Sequence, residues 1–341
     1  MQERVAPSPL ISSTEFDIPT LTAIAANQQK ISSWIVETPV WDWPYALVES
    51  LDLKNEIFFK LELFQQTGSF KVRGALTTLL NLNEEALAKG IVAASAGNHA
   101  IAVSYAAKIF NTSAKVIMPR TASPVKMQRC KNYGAEVILT DSMTQSFNKM
   151  QELAEREGRA SIHPFEGHLI ALGTATIGLE LLQQIPRLDA VIVPIGGGGL
   201  IGGIGAAIKQ AAPQCLVYGV EPEGSDVMYR SFAAGKPVRL EANNTVAESL
   251  AVPSAMPYSF DLCHRFVDQI VHVSDSAIEK AEVWMFYETK LAVEPAAAAA
   301  LAALCGPLKE PLQGKRVALI VSGTNIDVDR YFQIVQSELR S

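Results

Sequence analysis

An α/β fold is predicted for this chain from three observations. Short apolar segments with strand character alternate with longer helix-like segments between residues 90 and 210. Two apolar segments, one in that stretch and one beyond residue 316, run into turns of glycine and small polar residues. The length, 341 residues at 48% hydrophobic content, suffices for a large core best divided into two lobes. Such alternation implies parallel strands joined by right-handed crossovers.

Val92–Ala94 is the first strand-like segment, and it gives way to Ser95-Ala96-Gly97-Asn98-His99 and a helix-like run over 99–110. A turn of this kind aims backbone N–H groups forward, forming an anion site suited to a substrate carboxylate, to which Ser95 and Asn98 add side-chain hydrogen bonds. Read alone, it is an ordinary strand-to-helix turn with a serine cap. Strand-like Lys115–Met118 and Glu136–Leu139 follow, with helix-like 124–133, 145–157 and 174–185 between and after them. Residues 190–208 carry no charge and by length alone would serve as a membrane span. Seven glycines and Pro194 make that a poor lipid-facing helix. A buried strand at Val191–Pro194, a bare loop Gly196-Gly197-Gly198-Gly199 and a helix explain it better. Four glycines leave only backbone N–H groups at a helix N-terminus, which is how a phosphate is cradled. The last strand, Val317–Val321, delivers the Ser322 hydroxyl at its C-terminal edge, where parallel sheets bind ligands. The alanine-rich run 296–303 reads as a closely packed helix.

The chemistry centres on Lys71, in Gln65-Gln66-Thr67-Gly68-Ser69-Phe70-Lys71-Val72-Arg73-Gly74-Ala75. Partial burial, an apolar plate from Phe70 and a second cation at Arg73 are expected to lower its pKa and make the amine a carbonyl-capturing nucleophile. Lys60 also follows an aromatic residue but lies in a strand-like run, so no such role is expected there. A different class remains open on these residues. Gly197 to Gly202 matches a dinucleotide fingerprint after a strand, with Glu221 placed for a ribose contact. An NAD-dependent oxidoreductase would leave Lys71, the Ser95–His99 turn and Ser322 unexplained, and a non-catalytic amino-acid sensor would have no use for Lys71.

Taken together, these segments resemble the pyridoxal-phosphate enzymes of the tryptophan-synthase-β fold, and within them the serine/threonine dehydratases and serine racemase. The resemblance covers nearly the whole chain and implies two lobes, each a mainly parallel twisted sheet flanked by helices. The small one would span 83–162 and the large one 1–82 and 163–341. It implies that Lys71 carries the cofactor, Phe70 stacks on its ring, Gly196 to Gly199 bind the phosphate, Asn98 bonds the ring hydroxyl and Ser322 the pyridine nitrogen. Ser95, Ala96, Gly97, Asn98 and His99 would receive the substrate. His163-Pro164-Phe165, Gly219-Val220-Glu221-Pro222 and Glu294-Pro295-Ala296 are further family stations. The chain departs from the pattern at Gly173-Thr174-Ala175-Thr176 and Ala247-Glu248-Ser249, both bordering the active site in the family, and at Thr324, where a second glycine is common. Glu221 and Ser225 match two metal-ligating positions of the racemase-like members, but the expected aspartate falls on Val227, so a divalent or monovalent cation has incomplete ligation. The implied reaction is β-elimination from threonine or serine, yielding a 2-keto acid and ammonia. Racemisation and 3-hydroxyaspartate dehydration are the alternatives. Ala96 stands where racemase-like relatives carry a second serine, which disfavours racemisation.

Net charge is −6, with 29 basic against 35 acidic residues, and no basic cluster points to nucleic acid or an anionic membrane. Residues 1–7 lack the apolar core of a signal peptide, so a cytoplasmic enzyme is expected. The four cysteines are widely spaced and the five histidines show no metal-ligand spacing. A homo-oligomer, dimer or tetramer, acting on a small amino-acid substrate is expected. The pattern runs almost to Ser341, so no appended regulatory domain is expected.

Overall fold

The computed structural model describes residues 17–43 and 53–340. The residues 1–7 read above for a signal peptide lie outside them. Two sheets organise the chain. The first has six strands in the order β1 (Val40–Asp42), β2 (Glu56–Lys60), β10 (Arg316–Ile320), β7 (Ala190–Pro194), β8 (Leu216–Pro222), β9 (Gln269–Val273). All of its pairings are parallel except β1 with β2. The second, wholly parallel, has the order β5 (Glu136–Thr140), β4 (Ala114–Pro119), β3 (Ile91–Ala94), β6 (Ala160–Ser161). β3 and β7 are buried along their whole length, which is why they read as continuous apolar runs rather than alternating ones.

The expected strands appear within a residue or two. The helix expected at 174–185 begins six residues earlier, spanning His168–Gln184, because Gly173 continues the helix instead of ending it. A side chain at Gly173 would press on the Arg73 carbonyl at 2.6 Å, so glycine allows this helix to lie directly against the Lys71–Leu80 helix. Residues 190–208 form strand, loop and the Gly199–Ala211 helix. No helix among the described residues is long and apolar enough to cross a membrane.

Between the Lys71–Leu80 helix, β2 and the His168–Gln184 helix lies a closed set of four charges. Lys60 Nζ is 2.6 Å from Glu180 Oε2, and Arg73 reaches Glu180 Oε1 at 2.6 Å and Glu62 Oε1 at 2.8 Å. All four side chains are at most 1% exposed. Thr38 Oγ1 donates to Glu62 and Thr176 Oγ1 accepts from Arg73, while the Thr38 carbonyl and Gln184 Oε1 accept from Lys60. Burial pushes the Glu62 carboxyl up, but Arg73, Lys60 and Thr38 together outweigh it and hold Glu62 below the usual carboxylate range. Two cations and two anions cancel, and nearly every donor is used.

Removing one member should therefore cost more than an ordinary ion pair. Arg73→Met leaves two enclosed carboxylates facing one lysine, and should lower unfolding free energy by about 3–5 kcal/mol. Denaturant unfolding of the cofactor-free protein measures it, and a loss below about 1 kcal/mol, the scale of an exposed pair, would show that the quartet contributes little.

Candidate active site

Lys71 opens its helix at the end of a short zipper between two distant segments. Phe70 N donates to the Ser322 carbonyl at 3.2 Å, Thr324 N donates to the Gly68 carbonyl at 2.9 Å, and Ser69 pairs with Gly323 in an isolated bridge. Gly68 adopts φ +75°, and a side chain there would meet Asn325 Oδ1 at 2.6 Å. The turn before Lys71 is thus glycine for both conformation and space. The zipper brings Ser322, itself buried, beside the lysine.

The Lys71 amine donates to the Pro164 carbonyl at 2.6 Å and sits 5.0 Å from the Phe70 ring centroid. Burial lowers its pKa to about 8, against the opposing pull of the Glu294 carboxylate. The sequence expectation that Arg73 contributes is corrected. Its guanidinium is committed to Glu62 and Glu180, two residues along the helix and on another face. Desolvation does the work. The same burial, with the lysine charge nearby, brings His99 and His163 to about 3, so both imidazoles are neutral. His99 Nε2 contacts the Ile162 carbonyl at 2.9 Å, and His163 Nδ1 accepts from the N–H groups of Phe165 and Glu166. Glu166 in turn accepts from Tyr258 N, Ser259 N and Ser259 Oγ. The loop that offers Pro164 to the lysine is therefore pinned at both ends.

That loop also covers the tetraglycine. A side chain at Gly197 would collide with the Phe165 ring and one at Gly199 with the Phe165 carbonyl. Gly198, at φ +91°, would put a side chain 2.6 Å from Met228 Cε. The segment precedes the Gly199–Ala211 helix, and Gly199 O accepts from Thr174 Oγ1 at 2.7 Å. Backbone alone fits there, with N–H groups at a helix N-terminus.

Glu294 is the member that the sequence reading left as a family station without a role. Asn98 Nδ2 donates to both of its oxygens at 2.8 and 3.0 Å, Asn325 N donates at 2.9 Å and Ser249 Oγ at 2.6 Å. Asn98 Oδ1 accepts from Asn325 Nδ2 at 2.7 Å. This carboxylate thereby joins the Ser95–His99 turn at the end of β3 to the Ser322–Asn325 turn after β10. Within the former, Ser95 Oγ accepts from Gly97 N at 3.1 Å, Ala96 is half-buried, and Asn98 begins the Asn98–Ile109 helix. Lys126, which the sequence did not single out, lies over this turn, its amine 3.6 Å from where a Gly97 Cβ would be. With Arg129, which bonds Asn325 Oδ1, it lines a cleft of about 200 Å³ beside Asn325 and Asp327.

Glu221 and Ser225 lie elsewhere. The Glu221 carboxylate is fully buried and caps the Val227–Ala234 helix, accepting from Met228 N at 2.9 Å and Tyr229 N at 2.8 Å. Ser225 Oγ donates to the Leu250 carbonyl at 3.0 Å. Among the described residues no three His, Cys, Asp or Glu side chains gather as metal ligands. With its oxygens occupied by the helix end, Glu221 is not presented to a ribose either.

The family model of pyridoxal-phosphate dependent enzymes matches residues 31–323. The chain is 46% identical over 314 residues to phenylserine dehydratase of Ralstonia pickettii, covering 91% of this chain and 94% of that protein. It is 36% identical over 315 residues to serine racemase of Schizosaccharomyces pombe, covering 92% and 96%. Among solved structures it is similar to the processed form of threonine deaminase isoform 2 from Solanum lycopersicum, with TM-score 0.85 and 30% identity over 96% of this chain and 98% of that one. The chain belongs to the pyridoxal-phosphate-dependent enzymes, and its cofactor is pyridoxal 5′-phosphate. The residues present fit that group: a buried reactive amine, a cradle that a Cβ would fill, and the enclosed hydroxyls of Thr67 and Ser69, which have no hydrogen-bond partner among the described residues.

Two outcomes are expected. In the cofactor-free protein the Lys71 amine is half deprotonated near pH 8. Its covalent reaction with added pyridoxal phosphate, followed by absorbance, should level off above about pH 9, whereas an ordinary lysine of pKa about 10.4 would go on accelerating. Gly197→Ala displaces Phe165 and should weaken cofactor binding about tenfold or more, the scale of an overpacked contact. A folded variant with unchanged affinity in a cofactor titration would detach the Phe165 contact from cofactor binding.

Proposed function

We propose that this enzyme is a dehydratase of 3-hydroxy-amino acids, acting by β-elimination to give a 2-keto acid and ammonia in the cytoplasm. Lys71 is the base in this reading: its pKa, lowered to about 8, makes the amine far easier to deprotonate at physiological pH than an ordinary lysine, so that it can accept the substrate α-proton. Pyridoxal phosphate, when bound, supplies the electron sink that makes that proton removable. Phe70 would lie against its ring, Asn98 would reach its ring hydroxyl, and the Gly196–Gly199 N–H groups would hold its phosphate. Ser322 would meet its ring nitrogen with a neutral hydroxyl, which suits elimination, a reaction needing only a short-lived carbanion. The Ser95–His99 turn, with the Lys126 amine above it, would take the substrate carboxylate. The β-hydroxyl departs with a proton, and the released enamine hydrolyses in water.

The observation that carries the assignment to elimination is Ala96. Racemisation needs a proton donor on the face opposite the lysine, and a methyl group offers none. His99, neutral and engaged with the Ile162 carbonyl, is not poised to replace it. Threonine or serine is the proposed substrate. The relative from Ralstonia pickettii is named for phenylserine, so an aryl substituent at the β-carbon is the competing choice. The frame around the site supports either, since the side chain at Ser249 is turned into Glu294 and not outward as an added specificity contact.

Ammonia release from threonine, serine, 3-phenylserine and 3-hydroxyaspartate ranks the substrates. With L-serine, pyruvate should exceed D-serine by about tenfold or more, and Ala96→Ser should raise α-proton exchange into D-serine by a similar factor. D-serine forming as fast as pyruvate in the unmodified enzyme would overturn the assignment.

A further inference from the structure

The Pro124–Asn132 helix packs on β5 and on the Asn98–Ile109 helix, within the four-stranded part of the molecule, yet it also reaches the turn that follows β10. Ser123, its N-cap, donates from Oγ to Asp327 Oδ1 at 2.7 Å. Further along the helix, Arg129 donates from Nη1 to Asn325 Oδ1. The first contact docks the helix on the turn. The second leads inward.

From Asn325 the hydrogen bonds continue in one direction. Asn325 Nδ2 donates to Asn98 Oδ1 at 2.7 Å, and Asn98 Nδ2 donates to the two Glu294 oxygens at 2.8 and 3.0 Å. A guanidinium thus stands at one end and a carboxylate at the other, with two buried amides between them, each accepting on its oxygen and donating from its nitrogen. In such a chain every bond polarises the next, and a low-dielectric setting strengthens the effect. The sense of the chain is settled by its surroundings. Turning Asn98 over would set its oxygen against Glu294, and turning Asn325 over would set its oxygen against the Thr67 carbonyl, which accepts from Asn325 Nδ2 at 2.9 Å. Among the described residues Arg129 is the donor to Asn325 Oδ1, and a buried oxygen left without a donor is costly.

We propose that Arg129 is a positioning residue for the cofactor site: its guanidinium anchors the head-to-tail relay Arg129–Asn325–Asn98–Glu294 and so holds the Asn98 amide in register with the cofactor ring. Arg129 touches neither cofactor nor substrate. Without it, Asn325 shifts to recover a donor, and Asn98 follows through the bond they share. The inference rests on the placement of Asn98 at the cofactor proposed above, and on neither the substrate nor the reaction.

The test measures how fast the holoenzyme sheds its cofactor, read as the protein-bound absorbance that remains after desalting, in a double-mutant cycle. Arg129 is half-buried on its helix, so replacing it leaves the core intact. Arg129→Met should speed release about fivefold or more, and Arg129→Lys, which keeps a cationic donor, should stay within about twofold of the parent. Asn98→Ala should speed release as well, and adding Arg129→Met to it should change little further, because the relay has already lost its inner end. Asp327→Ala, which loosens the same helix from the same turn without touching the relay, should release cofactor at the parental rate. Parental release in Arg129→Met beside faster release in Asn98→Ala overturns the relay alone, and parental release in both overturns the placement of Asn98 with it. Additive effects of the two replacements, or equally fast release in Asp327→Ala, reduce Arg129 to a docking contact and overturn the proposal too.

Discussion

Charge balance inside the Lys60, Glu62, Arg73 and Glu180 quartet fixes where everything else can sit. Enclosed ions are tolerated only in complete sets, and this set draws one member from β2, one from the turn after it, one from the Lys71–Leu80 helix and one from the His168–Gln184 helix. Once those elements meet, the helix that begins with Lys71 has no rotational freedom. The reactive amine is positioned from behind, by residues that never approach the substrate.

In front, a third carboxylate has the opposite character. Glu294 gathers four neutral donor contacts from three segments instead of cationic partners, and so keeps its charge while setting geometry. Its field opposes the desolvation of Lys71, which leaves the amine near pH 8 instead of lower still. One cluster supplies rigidity through cancelled charge, and the other tunes a pKa through charge that is not cancelled.

The parts of this site legible in the sequence are those whose chemistry needs a contiguous signature. Lys71 after Gly-Ser-Phe and four adjacent glycines announce themselves because a tight turn and a bare backbone must be encoded locally. The strands announced themselves through unbroken apolar runs. The Glu294 cluster did not, since residues 98, 249, 294 and 325 become neighbours only through the fold. Arg73 misled for a related reason: nearness in sequence is not nearness in space on a helix, and a spacing of two sends side chains to different faces. The early start of the His168–Gln184 helix was hidden by Gly173, whose role is closeness to Arg73 and not a break.

The strand order carries a temporal consequence. β10 lies between β2 and β7, with Arg316 opposite Glu56. The zipper that sets Lys71 beside Ser322 depends on that insertion. During synthesis the lysine emerges roughly 250 residues before its partner strand, which at about 5–20 residues per second is a wait of some 10–50 seconds. Over that interval a ribosome-bound chain can assemble its four-stranded sheet, whose strands all precede residue 162, but it has no complete pocket. Cofactor capture is thereby deferred to the finished polypeptide, and a truncated product ending before β10 would carry the reactive lysine without the frame that lowers its pKa.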